Sequence, residues 1–106
     1  MHKDHQKFIE AINENKKVIL NFSSKEDGHD LSRKCAPMDY GPSKRSNNNT
    51  DRYHLWDYES DVREHALSLL EEQIISIEKT DEIFNPEEFI DWDVDWCYPR
   101  DWGIYS

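Results

Sequence analysis

Residues 52–84, RYHLWDYESDVREHALSLLEEQIISIEKTDEIF, decide the fold. Three strands are readable in a row. Arg52 to Glu59 is aromatic-rich. Arg63 to Leu70 alternates loosely and ends in two leucines. Gln73 to Lys79 sets Ile75 and Ile77 on one face against Ile74, Ser76 and Glu78 on the other. Period-2 patterning with β-branched and aromatic residues is the signature of a strand. The gap Ser60-Asp61-Val62 is short enough for a hairpin, and the tighter Glu71-Glu72 break makes the second and third strands nearly one bent strand. A curved antiparallel meander of short strands is the beginning of a small barrel.

Outward from this core, residues 3–16 read as an amphipathic helix, with Phe8, Ile9 and Ile12 on one face and Asp4 at the positive end of the helix dipole. Val18 to Phe22 reads as a strand, Ser23 to Asp30 as a polar turn around Gly28, and Leu31 to Tyr40 as the returning strand. Pro37 lacks a backbone donor, so that strand bends or lies on an edge there. Gly41 to Asp51, GPSKRSNNNTD, is a loop whose Lys44 and Arg45 are candidates for a phosphate contact. Asn85 caps a short helix with Pro86 in its first turn. The expected architecture is α+β, mainly β: an N-terminal helix and a five-stranded antiparallel SH3/Sm-like barrel over residues 1–90, followed by an acidic, Trp-rich segment over 91–106.

A chain of 106 residues allows one domain with a modest core. Charged residues make up 34%, which raises disorder, but four Trp, five Tyr and four Phe supply large apolar surfaces to bury. The net charge of −10 is uneven: residues 1–50 carry nine Lys or Arg against seven Asp or Glu, and residues 51–106 carry four against sixteen. Such a surface keeps a protein soluble and argues against broad nonspecific DNA binding, which needs cations to replace counterions. No run is long enough to span a membrane, the first residues lack the apolar core of a signal peptide, and Cys35 and Cys97 read as free thiols. A cytoplasmic location is expected.

In the tail, Asp91, Asp93 and Asp95 alternate with Trp92, Val94 and Trp96. The spacing begins like a calcium loop, but Trp stands where the sixth-position Gly and the twelfth-position Glu are needed, so no calcium site is expected. The segment reads either as an added edge strand or as a peptide offered to a partner, with Trp92, Trp96 and Trp102 as anchors. His2 and His5 have no third ligand nearby, so no metal is expected. His54 and His65 lie on neighbouring strands and could face each other. No nucleophile, base and oxyanion set can be assembled, so neither an enzyme nor a cofactor is expected.

The order of elements resembles the WYL domain, a small Sm/SH3-like barrel module of bacteria and phages. The resemblance runs through FIEAINENKKVILNF, Arg33-Lys-Cys-Ala-Pro37, Arg52-Tyr53-His54, Arg63, Gln73-Ile74 and TDEIFNPEEF, covering residues 7 to 89. Only Tyr53 of the eponymous triplet is kept, and the usual Asp-Arg-Ile of the last strand is Glu72-Gln73-Ile74 here. The resemblance implies a regulatory or sensing module that binds a nucleotide, a short nucleic acid or a protein through a basic pocket. Arg33, Tyr53 and Arg63 match its ligand side. A guanidinium grips phosphate in a fork and a Tyr ring stacks on a base. The competing fate is that both arginines pair with surrounding carboxylates and Tyr53 is core. The alternative function is an acidic interaction protein, of phage or mobile-element type, that binds a basic nucleic-acid-processing protein.

Overall fold

The computed structural model describes residues 1–24, 27–43, 49–60 and 63–106. Helix α1 (His5–Glu14) leads into β1 (Lys16–Ser24) and β2 (His29–Pro42). Then come β3 (Asp51–Asp57), β4 (His65–Leu69), a 3-10 turn (Glu71–Gln73) and β5 (Ile74–Ile83). Short 3-10 turns at Pro86–Glu88 and Gly103–Tyr105 interrupt an otherwise irregular tail. The strands form one antiparallel sheet in the order β4-β3-β2-β1-β5.

This order forces closure. β4 and β5 are the two outer strands, yet only residues 70–73 join them. A flat five-strand sheet would separate them by about 19 Å at ~4.8 Å per strand. Three 3-10 residues advance only about 6 Å. The sheet therefore curls into a small barrel, and the fold expected from the sequence is the fold found.

Cross-strand register identifies the inner face. Val18, Leu20 and Phe22 stand opposite Cys35, Arg33 and Leu31, and Tyr53 opposite Tyr40 and Leu69. Phe8, Ala11 and Ile12 of α1 complete a core in which Val18, Leu20, Cys35, Tyr53, Leu55 and Ile77 are fully buried. Asp4 caps no helix donor with its side chain. Its carboxylate instead accepts the backbone N–H of Ile77 at 3.0 Å, which ties α1 to β5 and lowers the Asp4 pKa.

Two expectations need correction in detail. The β1–β5 pairing slips between Asn21 and Phe22, so Ile74 joins Ile77 in the core and Ile75 is left 46% exposed. A bulge of this kind breaks strict alternation, and period 2 cannot be carried through it. His54 and His65 do not face each other: His54 is opposite Ser68 and His65 opposite Asp57. Pro37 meets its expectation: β2 pairs with β1 only as far as Cys35, so the missing N–H removes no ladder bond on that side, and the β2–β3 register shifts between Pro37 and Asp39.

The tail over residues 91–106 is neither an edge strand nor a free peptide. It folds across the barrel as irregular chain, because its polar groups find better partners in side chains than in a strand edge. Asp39, 7% exposed, accepts the backbone N–H groups of Cys97 and Tyr98 at 2.9 Å each. Arg100 is fully buried beside it, with Nη2 3.3 Å from Asp39 Oδ1. The guanidinium sits in the corner of two indoles packed edge to face, 4.3 Å from the Trp96 ring centre and 4.4 Å from that of Trp102. Its remaining donors reach the carbonyls of Met38 and Tyr98. Burial pulls the Arg100 pKa down to about 10 against the opposing pull of Asp39, which leaves it cationic at neutral pH.

Candidate functional site

α1 packs over the Tyr40–Tyr53 end of the barrel, and the opposite end of the inner face is open. That mouth is a concavity of about 490 Å³ whose apolar floor is Phe22, Leu31 and Leu67. Its rim brings together Ser24, Asp27, Arg33, Asp57, Ser60, Arg63 and His65, with the Ser24 hydroxyl donating to Asp27 Oδ2 at 3.0 Å. Register explains the convergence. Arg33 takes an inward position on β2 opposite Leu20, and Asp57 and His65 face each other where β3 and β4 reach the same end.

The electrostatics of the rim are built around Asp57, which is 2% exposed. Its Oδ2 lies 3.6 Å from Arg33 Nε, and its Oδ1 accepts the backbone N–H of Glu59 at 2.8 Å. One buried carboxylate therefore positions the Arg33 guanidinium and also fixes the backbone just past the end of β3. Arg63 is exposed, and its carbonyl lies 3.1 Å from His65 Nδ1. The mouth thus offers one anchored and one exposed guanidinium, two carboxylates, two hydroxyls and one imidazole over an apolar floor. That set can grip an anionic group and cover a flat apolar one. Cys35 sits beneath the rim, fully buried, and burial raises its thiol pKa.

Tyr53 does not belong to this site. It is fully buried about 13 Å along β3 from Asp57, four residues at ~3.3 Å each. Its ring packs on Phe8 and Tyr40 with centroids 5.0 and 4.7 Å away. Its hydroxyl accepts the His2 backbone N–H at 3.1 Å and lies 2.8 Å from His5 Nδ1. Burial pushes its pKa up to about 12. A ring so enclosed cannot stack on a ligand, so the role borrowed from the resemblance fails at this residue. Lys44 and Arg45 lie outside the described residues.

A second concavity, of about 450 Å³, lies between the tail and the outer face of β3 and β4. Its walls are His54, Ala66 and Ser68 on the barrel side and Trp92, Asp93, Asp95 and Trp96 on the tail side. Of the three candidate anchors only Trp92 is exposed, at 42%. Trp96 is half-buried, its Nε1 donating to the Tyr105 carbonyl at 2.7 Å. Trp102, 6% exposed, is core: its Nε1 donates to the Ile12 carbonyl at 3.0 Å and its ring meets Phe84 edge-on. Trp102 is therefore withdrawn as a partner anchor, because its surface is spent on the barrel.

Two structural residues escaped the sequence reading, Asp39 and Arg100. A signal for Arg100 was present: it is the sole cation of residues 80–106, with Trp96 and Trp102 four before and two after it. Among the described residues no group of three or more His, Cys, Asp or Glu is placed to hold a metal, and no helix is long and apolar enough to cross a membrane. No family model, curated protein or solved structure matches the chain.

Proposed function

We propose that the chain is a non-enzymatic regulatory or sensing module of the cytoplasm, similar to a WYL domain, whose open mouth takes a nucleotide or the end of a short single-stranded nucleic acid. The observation that carries it is the convergence of Arg33 and Arg63, thirty positions apart, on one concavity. Arg33 is already oriented by Asp57, so less side-chain freedom is lost when it meets a phosphate. A charge-assisted hydrogen bond contributes about 1.5–3 kcal/mol. The net charge of −10 opposes an anion at long range, but exposed charges more than about 8 Å away are largely screened at physiological salt.

The test is calorimetric titration of the full chain with a nucleoside triphosphate and with a short oligonucleotide. Arg63→Ala is the cleaner variant, since Arg63 is exposed while removing Arg33 strands the buried Asp57. We expect Arg63→Ala to weaken binding by about tenfold, the loss of one such bond. No binding of either ligand at low salt, or binding indifferent to Arg63→Ala, counts against the reading.

A second reading has its own observation. Sixteen carboxylates against four cations in residues 51–106, with Trp92 exposed among them, suit an acidic interaction protein that binds a basic partner.

A further inference from the structure

We infer that the groove between the tail and the β3–β4 face is a receptor for an arginine side chain of a basic protein partner. This locates the contact of the second reading above, on which it rests, and it is independent of the mouth.

The chain already shows what its tail does with a guanidinium. The Arg100 guanidinium carbon lies 4.3 and 4.4 Å from the ring centres of Trp96 and Trp102, with a carboxylate of Asp39 at 3.3 Å. Those three partners are used up internally. The adjoining groove repeats the same chemistry at the surface: Trp92 supplies a ring and Asp93 a carboxylate, around a space of about 450 Å³. Trp92 and Asp93 are both exposed, while Trp102 and Asp39 are buried. The groove is therefore the one of the two arrangements that an outside cation can reach.

Charge selects the sign of the occupant. Glu87, Glu88, Asp91, Asp93, Asp95 and Asp101 are all exposed, and the stretch that carries them has no exposed cation, Arg100 being buried. Shape selects its kind. A planar guanidinium stacks on an indole while forking to a carboxylate, whereas an ammonium is a compact, strongly hydrated point charge. An arginine in a flexible segment of the partner therefore fits better than a lysine.

Deleting residues 91–106 is a poor test, because it also strips Trp102 from the core. The discriminating experiment titrates the intact chain with a flexible peptide of alternating Arg and Gly. The Lys–Gly and Glu–Gly peptides run in parallel, in about 20 mM salt so that screening is weak. Binding is read by calorimetry and by tryptophan fluorescence. The Arg peptide should bind, the Lys peptide should bind several-fold more weakly, and the Glu peptide should not bind. Trp92→Ala should weaken the Arg peptide by about fivefold, the upper range for a cation on an exposed ring. Asp93→Asn should weaken it by a smaller factor, and Glu72→Gln, on the β4–β5 turn, should leave it unchanged. Circular dichroism confirms that each variant is folded. If Trp92→Ala and Asp93→Asn bind like the parent, or Lys and Arg peptides bind alike, the groove is not the receptor, although a basic partner still stands. If no basic peptide binds, that reading falls as well.

Discussion

Replacing Arg100 by Ala should cost the protein a large part of its stability. The side chain is fully buried and makes the ion pair to Asp39, hydrogen bonds to the carbonyls of Met38 and Tyr98, and two indole contacts. Removing one member of a buried pair costs about 3–5 kcal/mol, because the other is left as an uncompensated charge. Two features of the site decide where in that range the value falls. Asp39 keeps three backbone donors, from Tyr40, Cys97 and Tyr98, which lowers the cost. The lost cation–π contacts with Trp96 and Trp102, about 0.5–2 kcal/mol each, raise it. We expect roughly 3–4 kcal/mol, the lower-middle part of that range. For a domain of this size that corresponds to a melting temperature lower by about 12–30 °C. Arg100→Lys should recover less than half, since one ammonium cannot stack on two rings and also satisfy two carbonyls. Urea denaturation followed by tryptophan fluorescence and far-ultraviolet dichroism gives the free energy, and a cycle with Asp39→Asn gives the pairwise coupling. A loss below about 1 kcal/mol, the size expected of a surface pair, would refute the picture of the tail as part of the core.

Gly41→Ala attacks the same junction from the barrel side. A Cβ at Gly41 would lie 2.7 Å from both Cβ and Sγ of Cys97, too close for either to stay. A destabilisation of about 1–3 kcal/mol is expected, with the tail displaced and the sheet intact. Amide shifts confined to residues 95–102 would show it, and an unperturbed tail would argue against the contact. Acid should loosen the N-terminus through His5. Burial lowers its pKa below 6.5, and the nearby N-terminal charge adds to the effect. The unfolded chain then binds the extra proton, so this stability is full above 6.5 and is lost as pH falls towards the lowered folded value. The neutral ring has a partner in the fold: Tyr53 Oη, which accepts the His2 N–H, lies 2.8 Å from His5 Nδ1. Stability measured against pH should show a decline just below 6.5 that His5→Gln abolishes, and a profile identical in the variant would exclude His5 as its source.

Much of the scaffold was legible because its signals are local. The alternation in residues 18–22 marks β1, Asn85 caps its turn by accepting the Glu87 N–H at 3.1 Å, and the Glu71-Glu72 break becomes a 3-10 turn. What was illegible depends on register and on distant partners. One bulge decides whether Ile74 or Ile75 is buried, and no local preference separates two adjacent isoleucines. Tyr53 resembled a ligand residue by its place in a motif, yet α1 lies over it, and that contact spans some fifty positions. Asp39 and Arg100 are sixty-one positions apart and each looks like a surface charge until the tail is folded back. The candidate site was half readable for the same reason: Arg33 and Arg63 meet at the mouth, but Asp57, which orients the first, carried no signal of its own.

The central claim is that an anionic ligand enters the open end of the barrel between Arg33 and Arg63. Amide and arginine side-chain resonances recorded during titration of the intact chain with a nucleoside triphosphate test it most directly. Shifts concentrated at Ser24, Arg33, Ser60, Arg63 and His65, with Tyr53 and the tail silent, are the predicted result. A silent rim, or shifts gathered instead around Trp92 and Trp96, would contradict it.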